Sequence, residues 1–110
     1  MPNSLEIESK PGCISAALNV IGDKWTALLL KELVNEKRTF SELEEALPSI
    51  SPRTLSQRLD KLKAERIVSK QLYCEHPPRY YYCLTDKGAE LESILRAMAC
   101  WGERHHSGDC

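Results

Sequence analysis

No apolar run in this sequence approaches the roughly 20 residues needed to cross a bilayer. The opening MPNSLEIESKPG carries neither the basic nor the apolar region of a signal peptide. Both absences point to a cytoplasmic chain with no membrane partner. The sequence also lacks a CxxC pair. Its five cysteines, Cys13, Cys74, Cys83, Cys100 and Cys110, are odd in number and scattered. Free thiols are therefore expected rather than a disulfide framework. There is no excess of positive charge: 15 Lys and Arg stand against 16 Asp and Glu. Total charge thus gives no support for nucleic-acid binding, and only the distribution of charge can. A Gly-rich phosphate loop, an HExxH motif and clustered carboxylates at catalytic spacing are all missing, so no enzyme class and no cofactor is indicated. Internal repeats and low-complexity tracts are missing too. At 110 residues the chain suits one domain with one core.

What is present is a succession of short periodic segments. Residues 1–12 read as a flexible arm closed by Pro11 and Gly12. Residues 13–21 form a helix with Ile14, Ala17, Leu18 and Ile21 on one face. Gly22 ends it as a residue for which positive φ carries no cost, and Asp23 is an N-cap for the next helix. That helix, residues 24–34, carries Trp25, Leu28, Leu29 and Leu33 at helical spacing and is the expected core helix. A minimal strand is expected at residues 38–40. A brief helix follows, capped by Thr39 or Ser41 and facing Phe40, Leu43 and Leu47 inward. Pro48 closes it, since proline cannot continue a helix.

The segment SPRTLSQRLDKLKAERIVSK, residues 51–70, is the most informative. Ser51 caps and Pro52 suits a first helical turn. Leu55, Leu59 and Leu62 share one face, while Arg53, Gln57, Asp60 and Ala64 point most nearly away, with Thr54 and Lys61 beside them. Between 51 and 70 there are six cations, Arg53, Arg58, Lys61, Lys63, Arg66 and Lys70, against Asp60 and Glu65. Between 32 and 45 the bias reverses: Glu32, Glu36, Glu42, Glu44 and Glu45 outnumber Lys37 and Arg38. Charge is segregated along the chain.

A strand over 67–73, a proline tip at Glu75-His76-Pro77-Pro78 and a return strand over 79–84 follow. Tyr80, Tyr82 and Leu84 are expected on one side of the return strand, with Tyr81 and Cys83 on the other. Thr85 caps a last helix running to about Glu103, and residues 104–110 are a polar tail. A short helix, a tight turn, an amphipathic helix and a hairpin make a mainly α (α+β) winged helix-turn-helix, with a two-stranded wing and terminal dimerisation helices.

Several pieces in order carry a family resemblance: Cys13, IGDKW at 21–25, RTFSELEEALPSIS at 38–51, TLSQRL at 54–59, PPRYYYCLTDKG at 77–88 and WGE near the end. Over residues 13–103 the sequence resembles the HxlR family of MarR-like winged-helix regulators. The resemblance implies a homodimeric DNA-binding transcription factor without a catalytic site.

On that basis the first turns of the 51–65 helix enter the major groove. Arg53 suits a bidentate contact to guanine and Gln57 one to adenine, each worth about 1–3 kcal/mol of discrimination. Thr54 and Ser56 suit close contacts, the amides near Ser51 suit a phosphate, and Arg58 and Lys61 suit the DNA backbone. At the hairpin tip His76 and Arg79 suit the backbone or minor groove. The two terminal helices offer a dimer interface through Ile14, Leu18, Leu91, Ile94, Leu95, Met98 and Trp101, which sets two reading helices on an inverted repeat of duplex DNA.

Cys13 falls at or just before a helix N-terminus, where a thiolate is favoured. Several regulators of the resembled family use a cysteine here to sense oxidants or electrophiles, so the resemblance makes Cys13 the redox-sensing candidate, with Cys100 and Cys110 as candidate partners. Cys100, His105, His106 and Cys110 raise the question of zinc, but their spacing is not that of a standard finger, and no metal site is assigned. Two alternatives to DNA reading stay open: a winged-helix module that uses the 51–65 helix to bind protein, and a regulator controlled by a small molecule at the dimer interface, which no residue identifies.

Overall fold

The computed structural model describes residues 12–106. Most of the expected 1–12 arm, the end of the tail and Cys110 lie outside the described residues. In chain order the elements are α1 (Cys13–Ile21), α2 (Lys24–Asn35), β1 (Arg38–Thr39), α3 (Phe40–Ala46), α4 (Pro52–Ala64), β2 (Val68–Glu75), β3 (Pro78–Leu84), α5 (Asp86–Ala89) and α6 (Glu92–His105).

Local chemistry explains most of the boundaries. Asp23 caps α2 by accepting the Thr26 amide at 2.9 Å. Thr39 and Glu42 form a reciprocal capping box on α3, satisfying two amides that a helix start otherwise leaves unpaired. Ser51 accepts the Thr54 amide at 3.0 Å and Pro52 opens α4. Thr85 caps α5 through the Gly88 amide at 3.0 Å.

The core is leucine-rich and lies where α2, α3 and α4 meet the base of the hairpin. Leu29, Leu30, Leu43 and Leu55 are fully buried, and Leu59, Leu62, Ile67 and Val68 nearly so. Burial of such side chains stabilises by about 1.5–3 kcal/mol each. Trp25 and Leu28, expected in the centre, are only half-buried at its margin; Thr26 and Leu30 take the inward positions on α2.

β1, β3 and β2 form one antiparallel sheet in that order. The two-stranded wing is thus extended at its base by β1, where Arg38 pairs with Tyr82 and Thr39 with Tyr81. β2 begins at Val68 and runs to Glu75, longer than the expected 67–73, and a bulge between Leu72 and Cys74 absorbs the extra residue. Pro78 is not outside the ladder: it opens β3 opposite Glu75, and a first strand position tolerates proline. The hairpin tip therefore narrows to His76 and Pro77.

Three further expectations change. The last helix is two helices, α5 and α6, broken at Glu90 and Leu91. The break accompanies a close approach: an added Cβ at Gly88 would lie 2.2 Å from the Ile67 carbonyl oxygen, so α5 is pinned to the base of the wing. Second, Gly22 has φ −75°, not a positive value. Its glycine requirement is steric, since a Cβ there would meet the Leu18 carbonyl oxygen at 2.5 Å. Left-handed backbone is found instead at Gly12, φ 100°, just before α1, and at Arg66, φ 63°, just after α4. Third, α6 extends through Arg104 and His105, two residues expected in the tail.

Candidate nucleic-acid interface

α4 separates two chemistries. Leu55, Leu59 and Leu62 lock it to the core. Arg53, Ser56, Gln57 and Asp60 are exposed on the other side. Among the described residues, no hydrogen bond or ion pair holds the side chains of Arg53, Ser56 or Gln57. These three are free to meet a ligand.

The remaining candidates on α4 are already engaged. The Ser51 hydroxyl accepts the Thr54 amide and donates to the Thr54 hydroxyl at 3.0 Å, so both residues serve the cap. Arg58, expected on the DNA backbone, instead lies half-buried, with Nε donating to Asp23 Oδ2 at 2.8 Å and Nη2 to Oδ1 at 3.3 Å. Lys61 donates through Nζ to the Asn19 carbonyl at 2.7 Å. Both cations turn toward the α1–α2 junction, because an acceptor waits there at the reach of each side chain. The sequence marks Asp23 as a cap but carries no sign of this second role; Arg58 is 35 residues away, beyond any helical or strand period.

The electrostatics follow the geometry. Asp23 is held down at about 2 from an ordinary 3.8, chiefly by the hydrogen bond from Arg58 and further by the Thr26 amide and hydroxyl, against burial, which raises it. The same contact raises Arg58.

On the wing, His76 and Arg79 are exposed at and beside the tip. Lys70 is exposed too, with its Nζ 4.2 Å from the Tyr80 ring centre. On the opposite face Tyr73 and Tyr81 stack at 4.5 Å, with Lys37 4.7 Å from the Tyr81 ring. Tyr82 and Leu84 pack against the core, whereas Tyr80, expected on the same side of the strand, is exposed. Burial pushes the Tyr82 phenol up, and the nearby Asp60 carboxylate adds to this.

Large exposed apolar side chains gather on the terminal helices, apart from Leu72, Tyr73 and Tyr80 on the wing. Ile14 and Leu18 on α1 and Ile94, Met98 and Trp101 on α6 are all well exposed, Trp101 at 60%. Leu91 and Leu95 differ, being half-buried against the core. Cys13 opens α1 and is exposed; its N-cap, Gly12, provides no side-chain cap. Cys100 is exposed on α6, and Cys74 and Cys83 are half-buried in the wing. Among the described residues no group of three or more His, Cys, Asp or Glu side chains is placed to hold a metal ion. No single described helix is long and apolar enough to cross a membrane.

A short helix, a tight turn, a second helix with an unengaged polar face and a hairpin packed behind it define a winged helix-turn-helix protein. The family described as HxlR-like helix-turn-helix matches residues 20–109. The chain belongs to this family. A Methanothermobacter thermautotrophicus protein named as an uncharacterised HTH-type transcriptional regulator is 38% identical over 94 residues, covering 86% of this chain and 72% of its own length. The redox regulator HypR in its oxidised form is 37% identical, with TM-score 0.79 over 84% of this chain and 95% of that one. The reduced form of YodB from Bacillus subtilis is 29% identical, with TM-score 0.77 over 92% and 98% of the two chains. The relatives are transcriptional regulators, a non-enzymatic class.

Proposed function

We propose that the protein is a dimeric, sequence-specific DNA-binding transcriptional regulator of the cytoplasm whose DNA affinity responds to thiol oxidation. The observation that carries this is the face of α4, where Arg53, Ser56 and Gln57 are exposed and unengaged opposite a buried leucine face. In the major groove Arg53 and Gln57 read guanine and adenine edges, with Ser56 making a close contact. Ser51 and Thr54 shape the N-terminal turn that approaches a phosphate. His76 and Arg79 bring the wing tip to the adjacent backbone.

Two copies pair through α1 and α6, covering Ile14, Leu18, Ile94, Met98 and Trp101, with Leu91 and Leu95 at the margin. The pairing sets the two α4 helices on successive major grooves of an inverted repeat, about 34–36 Å apart. Cys13 is the redox-responsive thiol, and the likeness to the redox regulator HypR supports that assignment. Cys100 and Cys110 are its candidate partners.

The test is binding to the duplex upstream of the protein's own coding sequence, followed by anisotropy across a salt series. Arg53→Ala and Gln57→Ala each weaken specific binding by about 1–3 kcal/mol. Cys13→Ser removes the response to diamide while leaving the reduced affinity in place. Binding that is insensitive to salt, or a Cys13→Ser variant as responsive to diamide as the parent, overturns the respective part of the proposal.

A further inference from the structure

The helix that faces DNA is held along one flank by the turn joining α1 to α2 and the end of α1. The Asp23 carboxylate meets the Arg58 guanidinium at two points, 2.8 and 3.3 Å, the paired geometry in which arginine is most directional. The carboxylate is itself immobilised. Its Oδ2 also accepts the Thr26 amide at 2.9 Å and hydroxyl at 3.0 Å, and Thr26 is buried. Close to one turn beyond Arg58, Lys61 ties the same side of α4 to the Asn19 carbonyl on α1. Gly22 lies between the two anchor points, with its backbone packed too closely on Leu18 to admit a side chain.

The leucine contacts of α4 set its depth in the core, but apolar contact is non-directional. Close packing of Leu55, Leu59 and Leu62 fixes which face is buried, and the finer setting of rotation about the helix axis and sliding along it falls to directional contacts. Base readout needs both held, to about 0.5 Å and 10–20°. The polar tethers supply that restraint, and they lie on the flank of α4 rather than on its exposed face.

We propose that Asp23 and Arg58 are positioning residues for DNA recognition, fixing the rotation and axial register of α4, and that Arg58 acts through Asp23 rather than on a phosphate. This rests on the DNA-reading assignment of α4.

The test uses the full chain and two labelled duplexes of equal length, one enriched by the wild-type protein from a random pool and one of random sequence. Arg58→Gln, Asp23→Asn and the double variant are titrated over a salt series, with helicity checked by circular dichroism. Asn retains a capping side chain at position 23. Arg58→Lys, which keeps the charge and loses the fork, provides a second probe that leaves the α2 cap untouched. Each single variant is expected to lose about tenfold on the enriched duplex while staying within about twofold on the random one, and the double variant to be no weaker than the singles. The salt slope keeps its wild-type value.

Equal losses on both duplexes, with a slope flattened by about 0.9 per lost phosphate, make Arg58 a backbone contact and overturn the proposal. So does unchanged affinity for the enriched duplex in Asp23→Asn or Arg58→Lys. A wild-type protein that enriches no duplex refutes the DNA-reading assignment itself, and the positioning role falls with it.

Discussion

Asp23→Asn isolates the charge of the Asp23–Arg58 pair from the cap that the same side chain provides. Asparagine caps a helix about as well as aspartate, so the hydrogen bonds to Thr26 persist while the ionic component to Arg58 is lost. The carboxyl is lowered from 3.8 to about 2, first by Arg58. At about 1.4 kcal/mol per tenfold change in proton affinity, the ceiling is about 2.5 kcal/mol. The Asp23 side chain is 39% exposed, and screening by solvent reduces the expected loss to about 1 kcal/mol. Because the folded-state value lies below the unfolded one, this stabilisation is present above about pH 4. It is lost as pH falls through about 2. Urea unfolding followed by circular dichroism between pH 7 and pH 2 measures it. The variant is less stable than wild type by about 1 kcal/mol at neutral pH, and the two converge as Asp23 protonates. A difference that stays constant across the acid range, or no difference at pH 7, refutes the assignment of that stability to the ion pair.

Gly88→Ala places a Cβ 2.2 Å from the Ile67 carbonyl oxygen. Backbone must move to admit it, and thermal unfolding should show a loss of more than about 2 kcal/mol. Arg66→Gly relieves a left-handed conformation, φ 63°, and leaves the Arg66 amide on the Lys63 carbonyl at 3.0 Å. It should stabilise by about 1 kcal/mol in the same assay. Trp101→Asp on the proposed dimer face should raise the dimer dissociation constant at least about 30-fold, a hot-spot loss of about 2 kcal/mol, in sedimentation equilibrium. Its helicity should be kept, because Trp101 is 60% exposed.

Much of the helix-turn-helix was legible because its signals are local. The leucine spacing of α4, the Ser51-Pro52 start and the Thr39–Glu42 box each operate within one or two helical turns. Periodicity therefore located the buried face Leu55, Leu59 and Leu62 and, opposite it, Arg53 and Gln57. Other expectations failed where close approach or final packing, rather than period, decides a residue's setting. Gly22 is glycine because Leu18 is close, not because its φ is positive. The terminal helix breaks next to Gly88, where α5 is pinned against Ile67. Ile14 and Leu18 form a correct helical stripe that the monomer core leaves exposed.

The charged residues of α4 show the division most clearly. By itself, the sequence determined that α4 is amphipathic, that its outer face is polar and that cations flank it, because these follow from 100° of rotation per residue. Which cations remain free was decided only by the tertiary structure. Arg53 faces open solvent, whereas Arg58 and Lys61 are drawn to Asp23 and Asn19, brought within reach by the folding of α1 and α2 against α4. A side chain's period is a property of its own helix; its partner is a property of whatever the chain packs beside it.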